Sequence, residues 1–191
     1  MDPFGHQQYL IRRKLLTLVH TDFRLLSPSG EAVLWGRKQG FKLKESIRIF
    51  ADESMEREVL SIQARQMIDF SATYDVSDSR ERRKVGALRR KGLRSILRDE
   101  WLLLDPEDRQ IATLQEDSQG KALLRRFLSN LIPQSFDILM GGATVAEVRQ
   151  HFNPIRFRLE IDFSLDSRNQ LDRRLGVAAA VLLSLIEGRQ D

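Results

Sequence analysis

The sequence predicts a mainly β (α+β) fold: a closed antiparallel β-barrel of about twelve strands enclosing one apolar C-terminal helix. Three observations predict it. Hydrophobic residues alternate with a period of two through much of the chain, the mark of strands with one dry face and one wet face. A hairpin unit recurs, led by an aromatic residue and turned by Pro, Gly or Asp. The run from Gly176 to Leu183 has no polar face, and a helix that is apolar all round needs cover on every side. Curling the sheet closed around that helix covers both and leaves no open edge.

Taken in order, residues 1–8 read as an N-terminal tail and 9–191 as a single domain. Strands are expected near 9–14, 22–27, 31–37, 46–51, 57–64, 69–76, 83–89, 100–104, 109–115, 135–140, 143–150 and 155–163. The alternation is clearest in the last, where Ile155, Phe157, Leu159, Ile161 and Phe163 share a face opposite Arg156, Arg158, Glu160 and Asp162. Phe70, Ala72, Tyr74 and Val76 alternate in the same way, as do Ile47 and Ile49 around Arg48. Met55 to Arg65 fits a helix as well as a strand.

The hairpins are expected at Phe23–Trp35 around Ser27-Pro28-Ser29-Gly30, at Trp101–Leu114 around Asp105-Pro106-Glu107-Asp108, and at Phe136–Val148 around Gly141-Gly142. Tyr74–Val76 is expected to pair with Lys84–Leu88 by a longer turn. Two segments break the pattern. Lys121 to Ile132 carries Leu124, Phe127, Leu128 and Leu131 at helical spacing before Pro133. The second is the central helix, placed at about 168–187, opened by a capping box at Ser167-Arg168-Asn169-Gln170 and closed by Gly188.

Composition narrows the function classes. With no cysteine there is no disulfide framework, cysteine-zinc site or thiol nucleophile, which fits a reducing, cytoplasmic setting. Met1 to His6 lacks the apolar segment of a secretory signal. Leu175 to Ile186 falls short of the roughly 20 apolar residues that span a bilayer.

The hairpins, together with Leu171-Asp172-Arg173-Arg174-Leu175-Gly176-Val177-Ala178-Ala179-Ala180-Val181 and Ile155-Arg156-Phe157-Arg158-Leu159-Glu160-Ile161, resemble LURP-one-related proteins from about Tyr9 to Gly188. The resemblance implies the barrel and central helix shared with tubby C-terminal domains and phospholipid scramblases. It also implies association with membrane lipids, through surface Lys and Arg that bind phosphoinositide headgroups in tubby domains and with calcium in scramblase-like members.

The candidate site is a basic stretch of Arg80, Arg82, Arg83, Lys84, Arg89, Arg90, Lys91, Arg94 and Arg98, interrupted by one acid, Glu81. Brought onto one face, these residues would hold an anionic headgroup, since Arg suits bidentate phosphate contacts; left apart, they are solvated surface. No aromatic lies between Tyr74 and Trp101 to stack on bases, which argues against nucleic acid. Asp162, Asp166 and Asp172 lack calcium-loop spacing; Asp166 reads as a turn acid and Asp172 as a helix N-terminal acid. His6, His20 and His151 are isolated, and neither a nucleophile elbow nor a phosphate loop occurs. The expectation is a non-enzymatic barrel without a cofactor or metal, peripheral to a membrane. Lipid translocation and a protein-interaction barrel are the alternatives.

Overall fold

The computed structural model describes residues 2–13, 20–39, 46–65, 72–91, 100–116, 135–151 and 158–186. The helix expected at Lys121–Ile132, the strand residues Phe70 and 155–157, and the basic residues Arg94 and Arg98 lie outside them. Twelve strands are present: β1 (Gln8–Arg13), β2 (His20–Leu26), β3 (Ala32–Gln39), β4 (Ser46–Phe50), β5 (Glu58–Ala64), β6 (Thr73–Asp78), β7 (Arg83–Arg90), β8 (Glu100–Leu104), β9 (Gln110–Glu116), β10 (Ser135–Met140), β11 (Ala143–His151) and β12 (Arg158–Asp162). Each pairs antiparallel with its sequence neighbour, and β1 closes on β12, so no edge is left.

The inward face follows the hydrophobic alternation. Tyr9 and Ile11 on β1, Leu34 on β3, Ile47 and Ile49 on β4, Leu103 on β8 and Ile161 on β12 are all buried. The alternation slips at one end of the barrel, where five hairpins shift register next to their turns: β2–β3, β4–β5, β6–β7, β8–β9 and β10–β11. Such bulges set two consecutive buried residues side by side, as at Leu25-Leu26, Ile49-Phe50 and Leu103-Leu104, and sharpen the twist that closure demands. Met55 to Arg65 resolves as a turn and strand β5. The Asp52 carboxylate folds the turn by accepting from the backbone N–H of Glu56 and of Arg57, both at 3.1 Å.

The helix α1 (Arg173–Ile186) runs inside the barrel. It touches β1 and β12 on one side and β6 and β7 on the other, which are opposite walls of the ring. Every side chain from Leu175 to Leu185 is buried, and Gly86 on β7 admits Leu175, whose methyls would lie 3.3 Å from an added Cβ. The helix begins at Arg173, later than the capping-box reading placed it. The reason is that Asp166, not Ser167, organises the preceding turn, while Asp172 is the N-cap, accepting from the Arg174 N–H at 2.9 Å. Asp166 accepts from the backbone N–H of Gln170 (2.9 Å) and Leu171 (3.0 Å).

The N-terminal residues read as a tail are held against the barrel mouth. Phe4 is 3% exposed and belongs to the core. The Tyr9 hydroxyl accepts from the His6 N–H at 3.1 Å and donates to the Pro3 carbonyl at 2.9 Å, and the Gln7 carbonyl accepts from the Phe163 N–H at 2.8 Å. Burial pushes the Tyr9 phenol up to about 12, against the opposing hydrogen bond from His6.

One packing contact gives a direct test of this core. A Cβ added at Gly36 on β3 would lie 2.0 Å from Cζ of Phe23, whose ring is buried on the neighbouring strand. Gly36→Ala is expected to destabilise the protein by about 1–3 kcal/mol through overpacking, read as a lowered urea midpoint at unchanged slope.

Candidate functional site

The two barrel rims differ in what they carry. The turns 27–31, 51–57, 79–82, 105–109 and 141–142, the N-terminal residues 2–7 and the segment 163–172 all lie at the rim where α1 enters. Together those segments hold eleven Asp or Glu against five Arg, so this rim is acidic and poorly matched to an anionic surface.

The basic stretch divides between the rims. Strand β7 carries Arg83 and Lys84 to the helix-entry rim and Arg89 and Arg90, with Lys91 directly after them, to the opposite one. At about 3.3 Å per residue its two ends are roughly 23 Å apart, so the stretch is not one patch. Most of its described members are also committed to acids. Arg80 pairs with Asp78 at 3.0 Å, Arg83 with Glu81, Lys84 with Asp108 at 2.7 Å, and Lys91 with Glu100 at 2.6 Å. Arg82, in a turn at φ 52°, and Arg89 have no ion pair among the described residues.

The best-organised charges lie where α1 enters. Asp78 is in phase with the inward residues Tyr74 and Val76 and is 0% exposed. It accepts from Arg174 Nη1 at 2.9 Å, from Arg80 Nη2 at 3.0 Å, and from the backbone N–H of Arg80 (2.8 Å) and Glu81 (3.0 Å). Burial works against its charge, but the hydrogen bonds from Arg80, the Glu81 backbone and Arg174 outweigh it and hold the carboxyl well below the usual range. Arg174, held foremost by Asp172 at 2.6 Å and then by Asp78, is raised above an already high value. This knot ties the first turn of the helix to β6. With every lone pair engaged by its own chain, it reads as structural rather than ligand-binding.

A second basic group was not visible as a sequence cluster. Arg12 on β1 stands directly opposite Arg24 on β2 and opposite Arg158 on β12, all on the outer face. Directly opposed residues have Cβ atoms about 4.5–5.5 Å apart, so three guanidinium stems stand side by side. Arg24 pairs with Glu53 at 2.5 Å, whereas Arg12 is exposed and has no partner among the described residues. The Nε of Arg158 is shielded from water and has no acceptor among the described residues. The sequence signal was faint but present: each arginine is an outward position of an alternating strand, and closing β1 on β12 makes neighbours of residues 12 and 158.

A family model described as LURP-one-related matches residues 32–184, well over half of the chain. The chain belongs to the LURP-one-related family. No curated protein and no solved structure matches it. In this LURP-one-related barrel the matched span runs from β3 into α1, so Arg158 lies inside it while Arg12 and Arg24 precede it.

The three aspartates weighed for calcium in the LURP-one-related sequence are spent locally. Asp162 accepts from the Ser164 N–H (2.8 Å) and Gln8 Nε2 (2.7 Å), Asp166 holds the turn, and Asp172 caps α1. His6 packs edge-on against Tyr9, His20 faces Asp22 at 3.7 Å, and His151 bonds Glu160 at 2.7 Å. Among the described residues, no three His, Asp or Glu gather as a metal site, and no helix is long and apolar enough to cross a membrane.

Proposed function

We propose that this LURP-one-related barrel is a non-catalytic binding domain for an anionic lipid headgroup, with Arg12, Arg24 and Arg158 as the contact residues. The observation that carries the reading is the row of opposed arginines on β12, β1 and β2, ion-paired among the described residues only by Glu53. Like charges directly opposite one another destabilise a sheet, and an anion laid across them relieves that repulsion. Guanidinium groups present paired N–H donors that match phosphate oxygens.

Each basic residue near an anionic membrane contributes about 1 kcal/mol, so three together are worth roughly a hundredfold in binding. Sedimentation with neutral, phosphatidylserine and phosphoinositide vesicles tests this. The variant Arg12→Gln/Arg24→Gln/Arg158→Gln is expected to lose about two orders of magnitude in vesicle affinity with no fall in melting temperature. Substituting Arg82, Arg83, Arg89 and Arg90 by Gln is expected to have a much smaller effect. Equal vesicle binding by the row variant and the parent would sink the reading. Lipid translocation is the weaker alternative, because it would draw α1 out of a lumen in which all its side chains from Leu175 to Leu185 are buried.

A further inference from the structure

A cleft of about 790 Å³ opens at the helix-entry rim, between the N-terminal segment and the turns that lead into β3 and β5. Its charged lining is acidic: Asp2, Glu31, Glu56 and Glu58. Two arginines also border it: Arg57 is engaged by Asp52 at 3.1 Å, outside the lining, and Arg80 by Asp78 at 3.0 Å and by Asp2 of the lining at 3.7 Å, while Glu58 lies 3.6 Å from Arg48. The carboxylates of Glu31 and Glu56 have no partner among the described residues. Trp35 and Val33 form part of the apolar wall.

We propose that this cleft binds a basic peptide segment of a partner protein, taking a Lys or Arg side chain. The charge of the cleft selects a cation, and the methylene stem of such a side chain covers the aromatic and aliphatic wall. The cationic head reaches Glu31 and Glu56, which gain charge-assisted hydrogen bonds without losing an existing partner. A Lys or Arg of a peptide supplies that stem together with its charge, which a bare inorganic cation does not. The volume lies within the range of ligand pockets. This site has the opposite charge preference to the arginine row, although its Trp35 stands directly opposite Arg24.

The test uses the full chain and two fluorescein-labelled peptides, one containing four lysines and one containing four glutamates, followed by fluorescence anisotropy at low and high salt. The lysine peptide is expected to bind and the glutamate peptide not to. Glu31→Gln/Glu56→Gln is expected to weaken binding at least about tenfold, whereas Glu107→Gln, on the same rim outside the cleft, shifts it by no more than about twofold. Trp35→Leu is expected to weaken it as well. The tryptophan emission provides a second readout, since only Trp35 of the two tryptophans borders the cleft. Absence of lysine-peptide binding, or an equal loss with Glu107→Gln, would overturn the proposal. Vesicle binding is expected to survive Glu31→Gln/Glu56→Gln, which separates this site from the arginine row.

Discussion

Asp78→Asn is expected to cost the barrel about 3 kcal/mol of folding stability at neutral pH, the low end of the range for breaking a buried ion pair. The residue is fully buried and binds two arginines, so the neutral amide leaves Arg80 and Arg174 short of a counter-charge. Arg174 keeps Asp172 at 2.6 Å, which is why the low end applies. The pH dependence identifies the mechanism. The folded carboxyl has a pKa below its unfolded value of about 3.9, so its contribution is complete above that pH and is lost as the pH falls through the folded pKa. Urea unfolding of parent and variant is therefore expected to differ most at neutral pH and to converge as the pH drops below about 4. Parallel profiles down to pH 3 would mean that the carboxylate's charge contributes nothing and that the loss is one of shape.

Much of this architecture was legible because barrel strands write their dry face into the sequence. Tyr74 and Val76, or Leu159 and Ile161, each buried between more exposed neighbours, required only a period of two. The Phe23, Trp101 and Phe136 hairpins formed as their turn residues predicted, and the all-apolar helix had no other place to go. The errors came from features that alternation does not encode. Bulges beside the turns put Leu25-Leu26 and Leu103-Leu104 both inside, which blurs strand ends. The start of α1 was misplaced because several residues before it can cap a helix, and tertiary contacts to Asp78 favour Asp172. Asp78 itself was readable, since it continues the inward phase of Tyr74 and Val76. A buried acid at that position implies a cation across the lumen.

The site was less legible than the fold. Sequence proximity grouped Arg80 with Arg98, but a strand carries neighbours in sequence from one rim to the other, and β7 carried the two halves of the stretch apart. Barrel closure does the reverse. It sets Arg12 beside Arg158 although most of the chain lies between them. Charge clusters in such a fold are better read across the strands, one outward row at a time, than along them.

Phe163→Ala is expected to be among the most costly single substitutions, at about 3–5 kcal/mol, because its ring is 0% exposed and joins three parts of the mouth. Tyr9 meets it edge-on at 6.4 Å, the Arg173 guanidinium lies over it at 4.5 Å, and α1 is cut away to receive it at Gly176. A Cβ added at Gly176 would lie 2.4 Å from Cε1 of Phe163. Gly→Ala within an exposed helix stabilises by about 1 kcal/mol, but here overpacking costs about 1–3 kcal/mol, so Gly176→Ala is expected to destabilise. Removing the ring removes the clash. In the Phe163→Ala background the same change is then expected to be neutral or stabilising, a coupling of at least about 1 kcal/mol in a double-mutant cycle measured by urea unfolding. Additive costs would show that α1 does not rest on this ring. A sign reversal would show that the glycine exists to let the helix pass it on the way into the barrel.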